Sequence, residues 1–344
     1  MAYHFQFRPY GRQFARSLTT NHGTWDTREG IIIRLSDDMG KCGWGEIAPI
    51  PWFGSETLEQ ALHFCRKLPG EITAETIFSI PDSLPACQFG FESALADLKA
   101  EPSVSRSQAE PGNEIQEALP LVLKAEPRGG DFPSQIAYSG LLPAGEAALQ
   151  QWESLSNQGY RTFKWKIGVA PIEEELEILH QLIGALPKSV KLRLDANGGL
   201  NWQQANAWLQ ECDRIGQIEF LEQPLPYYQL NGMVNLSNRY CTAIALDESV
   251  ATINQMENCY RLGWRGIFVV KPAIAGFPSR LRQFCQNYNI DAVFSSVFET
   301  AIGRQAALKL AAELSHPHRA IGFGVNHFFA EDEATWLWQL WNNS

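Results

Sequence analysis

The sequence predicts an α/β fold, a (β/α)7β TIM-like barrel with an N-terminal α+β capping domain. The first observation is a run of five apolar segments, each ending in a residue that can handle a metal ion or a proton. They recur about every 25 residues, the length of one strand, one helix and two short loops. The second observation is that strands precede helices before this run, as in an α+β domain. The five segments are residues 162–167, 191–197, 219–224, 245–249 and 268–272.

The capping domain is predicted to span residues 1–118, with a C-terminal return of residues 324–344 that is rich in tryptophan and packs on the cap. Aromatic and polar residues alternate at 3–8, and residues 30–35 are rich in isoleucine, so both stretches predict strands. A third strand is expected at 43–49.

Two helices follow in the cap, at residues 57–68 and 88–99, where apolar side chains recur with helical spacing. Residues 101–117 are polar and contain prolines, which indicates a surface insertion or linker.

The barrel is predicted to occupy residues 119–323, with a strand at 119–123 leading into it. Together with the five segments above, strands at 139–142, 292–296 and 321–323 complete a ring of eight. The outer helices are expected near residues 144–156, 172–186, 202–215, 228–238, 253–262, 278–288 and 300–314.

Composition restricts the possible partners. The formal net charge of −10, with no cluster of Lys or Arg to offset it, argues against binding to nucleic acid or an anionic membrane. The seven cysteines show no Cys-x-x-Cys spacing, which favours reduced thiols in a cytoplasmic protein. The expected partner is a small-molecule carboxylate, while the oligomeric state is left open.

Three acidic residues end neighbouring barrel strands, namely Asp195, Glu222 and Asp247. No Cys or His accompanies them, so they would form a hard oxygen site. Such a site suits Mg²⁺, with Mn²⁺ as the other possibility, and does not suit zinc.

Lysines flank these carboxylates. Lys164 and Lys166 lie on the second barrel strand and Lys271 on the sixth, so the two strands stand on opposite walls of an eight-stranded ring. Residues two apart on a strand share a face, so Lys164 and Lys166 point the same way. A divalent cation between opposed lysines is suited to removing a proton α to a carboxylate, because the cation stabilises the enediolate that forms.

These motifs resemble those of the enolase superfamily, muconate-lactonising subgroup, over nearly the whole chain. The resemblance implies that Lys166 and Lys271 are the acid/base groups on opposite faces of the substrate, with Lys164 beside them. The matching motifs are Lys164-Trp165-Lys166, Asp195-Ala196-Asn197, Glu222-Gln223-Pro224, Asp247-Glu248-Ser249 and Lys271.

Residues 43–51 and 295–303 look most like those of the subgroup's dehydratases, which convert a cyclohexadiene carboxylate to an aromatic acid in menaquinone or phylloquinone biosynthesis. In that reaction Lys166 would remove the α proton and then protonate the departing hydroxide. The alternatives are an N-acylamino acid racemase, another epimerase or a cycloisomerase. Residues 321–325 lack the Asp-x-Asp pair of dipeptide epimerases, which counts against a dipeptide substrate.

Substrate contacts are expected from polar or small residues near the barrel mouth, and two charged residues are expected to support the metal ligands from behind. Loops 20–25 and 49–55 of the cap are expected to close over the mouth. The substrate contacts are Asn197, Ser295, Ser296, Thr300 and Gly322, and the supporting residues are Glu248 and Arg193.

Overall fold

The computed structural model of the chain describes residues 1–20, 23–100, 136–324, 329 and 332–342. The predicted linker at 101–117 and the predicted strand at 119–123 lie outside the described residues. The predicted boundary between the cap and the barrel falls in the same stretch, so it stays a prediction.

A four-stranded antiparallel sheet in the order β3-β2-β1-β4 forms one layer of the cap. Its strands are β1 (Ala2–Thr20), β2 (Gly23–Ser36), β3 (Cys42–Ile47) and β4 (Glu71–Thr73). The first two are much longer than predicted, because β1 and β2 pair along almost their full length. That pairing satisfies backbone groups in stretches with little hydrophobic alternation. Strand β4 was not predicted, since three residues are too few to show a pattern.

The helices of the cap are α1 (Leu58–Lys67), α2 (Ala74–Phe78) and α3 (Pro85–Lys99). Two of them were predicted, and α2 was missed because it is a single short turn. Helix α3 crosses β3 at very close range, where a Cβ on Gly45 would stand 2.0 Å from the carbonyl oxygen of Gly90. Only glycine permits this approach.

The barrel is a ring of parallel strands. Seven of them form one continuous sheet, and single bridges from Ile321 to Tyr138 and from Gly322 to Ser295 close the ring as the predicted eighth strand. The seven strands are β5 (Ser139–Leu142), β6 (Thr162–Lys166), β7 (Lys191–Asp195), β8 (Ile218–Glu222), β9 (Ile244–Leu246), β10 (Ile267–Val270) and β11 (Ala292–Phe294).

Helices follow the strands and cover the ring, mostly within a residue or two of the predicted bounds. Helix α4 begins later than predicted, because Gly145 adopts a left-handed φ of 65° and a 3₁₀ turn comes first. The short helix after β10 was not predicted. The helices are α4 (Ala148–Asn157), α5 (Ile172–Ala185), α6 (Trp202–Ile215), α7 (Leu230–Arg239), α8 (Ile253–Arg261), α9 (Pro272–Ala275), α10 (Pro278–Tyr288) and α11 (Ala301–Leu314). Among the described residues, none of the helices has the length and apolarity needed to cross a bilayer.

A last helix, α12 (Glu333–Asn342), packs on the cap. The ring centroids of Trp336 and Tyr10 lie 5.3 Å apart, and those of Trp341 and Trp44 lie 4.8 Å apart. Edge-to-face contacts of this kind add to the stabilisation from apolar burial.

Glu46 of β3 fastens the cap to the barrel. Its buried carboxylate accepts hydrogen bonds from the Tyr10 hydroxyl at 2.5 Å and from the Gly303 backbone N–H at 2.9 Å. It also accepts from the backbone N–H of Thr300, at 3.0 Å, and from the Thr300 hydroxyl. The carboxylate therefore caps the N-terminus of α11, where a negative charge is favourable.

We predict that Glu46→Gln lowers the free energy of unfolding by about 1–3 kcal/mol. The NH₂ group of the glutamine would face N–H and O–H donors that now donate to a carboxylate oxygen, so buried donors would lose their acceptor. Chemical denaturation of the purified protein measures this. The matched control is Glu29→Gln, at an exposed position of β2, which should change stability by less than about 0.5 kcal/mol. Equal effects of the two substitutions would contradict the assigned role of Glu46.

Candidate active site

Strand register brings the predicted acidic residues to one rim of the barrel. Lys166 pairs with Asp195 across β6 and β7, and Asp195 pairs with Glu222 across β7 and β8. Asp247 directly follows β9 and Lys271 directly follows β10. Because parallel strands end at the same side of a barrel, all these residues share its carboxyl-terminal mouth.

The three carboxylates are buried, with exposed fractions of 7% for Asp195, 2% for Glu222 and 3% for Asp247. Burial, followed by the charge of Asp195, raises the pKa of Glu222 to about 8. Burial also raises the pKa of Asp247 to about 6, with Lys271 opposing and Glu248 adding to the rise. Carboxylates this crowded need positive charge beside them to stay ionised.

Two lysines supply positive charge here. The Lys164 Nζ lies 2.7 Å from Asp195 Oδ2 and 2.7 Å from Glu222 Oε1. Burial alone would lower the pKa of Lys164, but the surrounding carboxylates outweigh it and raise that pKa, so Lys164 remains charged. Lys271 Nζ donates to Asp247 Oδ1.

Within the described ranges, no three His, Cys, Asp or Glu side chains converge as a preformed metal cage. The reason is that the carboxylates here turn towards the two ammonium groups. The donor set nevertheless fits a divalent cation, since three buried carboxylates supply only oxygen atoms and an excess of negative charge.

Trp165 settles which way β6 faces. Its buried indole packs outward on Trp208 of α6, with ring centroids 6.4 Å apart, so Lys164 and Lys166 face the barrel interior. The loop after Lys166 is held by Glu175, which accepts from the backbone N–H groups of residues 168, 169 and 170 at 2.8, 2.9 and 3.1 Å. Sequence reasoning missed Glu175, although the acidic first turn of α5 offered a signal.

Asn197 and Glu248 lie beside the metal-ligand candidates. The Asn197 backbone N–H donates to Asp195 Oδ1 at 3.0 Å, and its amide donates to Glu248 Oε1 at 3.2 Å. Burial, then the charge of Asp195, raises the pKa of Glu248. Asn197 is thus hydrogen-bonded to both Asp195 and Glu248, and it connects Glu248 to a candidate metal ligand.

The prediction that Arg193 supports Glu222 or Asp247 needs correction. Its Nε donates to Glu219 Oε2 at 2.6 Å, and its guanidinium lies over the Phe220 ring. Arg193 shares a face with Asp195, but two residues along a strand are about 6.6 Å. It therefore belongs to the layer below the mouth.

Two predicted substrate contacts are also corrected. The hydroxyl and the backbone N–H of fully buried Thr300 both bind Glu46. The backbone N–H of Gly322 donates to the Phe294 carbonyl, at 2.7 Å, in closing the barrel. Neither group can serve a substrate, because each already has a partner within the fold.

The two serines after β11 differ. The Ser296 hydroxyl donates to Glu299 Oε2 at 3.0 Å and accepts from the Phe298 N–H at 2.9 Å, which shapes the loop. Ser295 is half-buried, and among the residues that the structure describes its hydroxyl bonds only to the Gly322 carbonyl, at 3.4 Å. Ser295 remains the better candidate for a substrate contact.

A cap residue that sequence reasoning missed reaches the site. Phe53, in the 3₁₀ turn Pro51–Phe53, places its ring centroid 3.9 Å from Lys271 Nζ. Trp52 of the same turn packs edge-on against Trp25 of β2, at 5.1 Å between centroids. The predicted lid at 49–55 therefore does lie over the barrel mouth. The lid at 20–25 falls partly outside the described residues.

Comparisons with known proteins agree with this architecture. Residues 12–98 match the family model "MenC, N-terminal domain", and residues 147–339 match "Enolase C-terminal domain-like". The o-succinylbenzoate synthase of Thermosynechococcus vestitus is 41% identical, over 94% of this chain and 93% of its own length. This chain belongs to the o-succinylbenzoate synthase family of the enolase superfamily. The resemblance inferred from the sequence is thereby confirmed.

A solved structure of a family member leads to the same conclusion, and a second solved structure shares the fold. The crystal structure of o-succinylbenzoate synthase from Thermosynechococcus elongatus BP-1, complexed with magnesium in its active site, superposes with a TM-score of 0.83. It is 37% identical, over 99% of this chain and 100% of that one. The L-Ala-D/L-Glu epimerase of Bacillus subtilis has a TM-score of 0.73 at 23% identity, over 95% and 91% of the two chains, and so shares the fold.

Proposed function

We propose that this chain dehydrates 2-succinyl-6-hydroxy-2,4-cyclohexadiene-1-carboxylate to 2-succinylbenzoate, the reaction of its family. The observation that carries the proposal is that Lys166 and Lys271 lie at the ends of β6 and β10, on opposite walls of one barrel mouth, with buried carboxylates on the strands between them. The product would enter menaquinone biosynthesis. Lysines on opposite walls would also suit a racemase, but the 41% identity to an o-succinylbenzoate synthase favours the dehydration.

Asp195, Glu222 and Asp247 would hold Mg²⁺. When bound, the cation supplies Lewis-acid stabilisation of the negative charge that develops on the substrate carboxylate as the α proton leaves. Lys164, charged and in contact with two of these carboxylates, offsets their mutual repulsion.

Lys166 would act twice on one face of the ring. As a neutral amine it takes the proton from the α carbon, and the C–H electron pair moves into an enediolate. The resulting ammonium then protonates the hydroxyl group as its C–O bond breaks, so water leaves and Lys166 returns to the amine. The loss of one water makes the ring aromatic, which supplies a large driving force.

Lys271 would stabilise the enediolate from the opposite face without transferring a proton. The Phe53 ring beneath its ammonium group favours positive charge at that position through a cation–π interaction. Since Phe53 comes from the cap, the placement of Lys271 depends on the lid as well as on the barrel.

We predict that Lys166→Ala and Lys271→Ala each lower kcat by at least about 10²-fold, because positioned acid–base and electrostatic groups contribute on this scale. Absorbance of the aromatic product measures the rate. The matched control is Lys67→Ala, at an exposed position of α1, which should leave kcat unchanged. Folded variants that kept full activity would refute the proposed function.

We predict that Asp195→Asn, Glu222→Gln and Asp247→Asn each abolish measurable Mg²⁺ binding in isothermal titration calorimetry, because each removes a charged oxygen donor. The control is Glu219→Gln, a buried carboxylate three residues earlier on β8, which binds Arg193 below the mouth. It should cost stability and leave Mg²⁺ affinity intact. If Glu219→Gln weakened Mg²⁺ binding as strongly as Glu222→Gln, the assignment of the ligands would be wrong.

We predict that Phe53→Leu lowers kcat by about threefold to tenfold, since a cation–π contact contributes about 0.5–2 kcal/mol. Leucine preserves the apolar lid while removing the ring. Steady-state kinetics measure the change, and Phe78→Leu, a half-exposed phenylalanine of the cap, is the control. An unchanged kcat for Phe53→Leu would show that the ring does not support Lys271.

A further inference from the structure

Gln223 occupies an unusual position between the acidic loops of the mouth. It follows Glu222 directly, is completely buried and adopts a left-handed φ of 39°. For a residue other than glycine this conformation costs free energy, so other interactions must compensate for it.

The side chain of Gln223 binds the loop that carries Asp247. Its Oε1 accepts from the Asp247 backbone N–H at 2.9 Å and from the Ser249 N–H at 3.3 Å. Its Nε2 donates to the Ser249 hydroxyl at 2.8 Å and to the Leu225 carbonyl at 2.9 Å. Both ends of the amide are therefore used, and three of these bonds end on residues 247–249.

The backbone of Gln223 forms hydrogen bonds to β9 and to the turn after β7. Its N–H donates to the Ala245 carbonyl at 2.8 Å, and its carbonyl accepts from the Gly198 N–H at 2.7 Å. Gly198 lies in the turn that directly follows Asp195. One residue thus joins the three loops that present Asp195, Glu222 and Asp247.

We propose that Gln223 is a positioning residue that fixes the spacing of the three carboxylates and so sets the affinity for Mg²⁺. This inference rests on the proposed function, in which those carboxylates bind the cation. Gln223 acts through its hydrogen bonds to their loops, since its amide lies buried behind the carboxylates. Its removal would let the Asp247 loop move relative to Glu222.

A merely structural role would predict a loss of stability alone, and the left-handed φ allows the two roles to be separated. Gln223→Gly and Gln223→Ala both remove the amide, but glycine adopts this φ freely. The glycine variant should therefore melt at a higher temperature than the alanine variant. Both should bind Mg²⁺ about tenfold to hundredfold more weakly than the wild type, as is usual when groups that orient metal ligands are lost.

The experiment measures the Kd for MgCl₂ by isothermal titration calorimetry, together with the melting temperature. It uses the full-length wild type, both Gln223 variants, Ser249→Ala and Gln88→Ala. Ser249→Ala removes one acceptor of the amide and should weaken binding by less than the Gln223 variants do. Gln88→Ala is the matched control, because Gln88 is a buried glutamine of the cap that donates to the Ile80 carbonyl. The Gln88→Ala variant should have a lower melting temperature than the wild type and the same Kd for Mg²⁺. The electron paramagnetic resonance spectrum of bound Mn²⁺ should broaden in the Gln223 variants only.

The outcomes separate the two proposals. A wild type that binds no Mg²⁺ would overturn the proposed function. A wild type that binds Mg²⁺ while folded Gln223→Gly or Ser249→Ala binds it equally well would overturn only the role of Gln223. Weakened binding that tracks melting temperature across all variants, Gln88→Ala included, would also count against it.

Discussion

The crowding of three buried carboxylates at one rim is the constraint on which the rest of this molecule depends. Charges removed from water cost several kcal/mol each unless other charges or hydrogen bonds compensate. Lys164 compensates Asp195 and Glu222, and Lys271 compensates Asp247. The same excess of negative charge that would make the mouth unfavourable in isolation suits it to a divalent cation.

The cap contributes to this arrangement through one short segment of chain. Glu46 fastens β3 to the start of α11, and Phe53, seven residues later, covers Lys271. The attachment of the cap and the placement of a candidate catalytic lysine are therefore linked in sequence as well as in space. A change in how the cap packs on the barrel would move Phe53 relative to the Lys271 ammonium group.

Charged residues also occupy the layer below the mouth, and they have a different task. Glu219 accepts from Arg193 at 2.6 Å and from Arg319 at 3.1 Å, while Arg319 also pairs with Asp291. Arg193 and Glu219 lie on β7 and β8, while Arg319 and Asp291 lie in loops, so these ion pairs tie strands and loops of the protein together. Catalytic chemistry is therefore expected in the upper layer, where lysines and carboxylates meet at the barrel mouth.

The sequence by itself determined the barrel, the outer helices, the family and the positions of the candidate lysines and carboxylates, because strand periodicity and motif spacing are local signals. It also placed Thr300 and Gly322 at the mouth and Arg193 on the right face. Only the tertiary structure decided that Glu46 takes the hydroxyl of Thr300, that barrel closure takes the N–H of Gly322, and that Arg193 lies one layer down. Phe53, Glu175 and Gln223 gained their roles in the same way. Each depends on a partner that is remote in the chain or on a backbone turn, and the identity of a hydrogen-bond partner is fixed by packing, which no local pattern encodes.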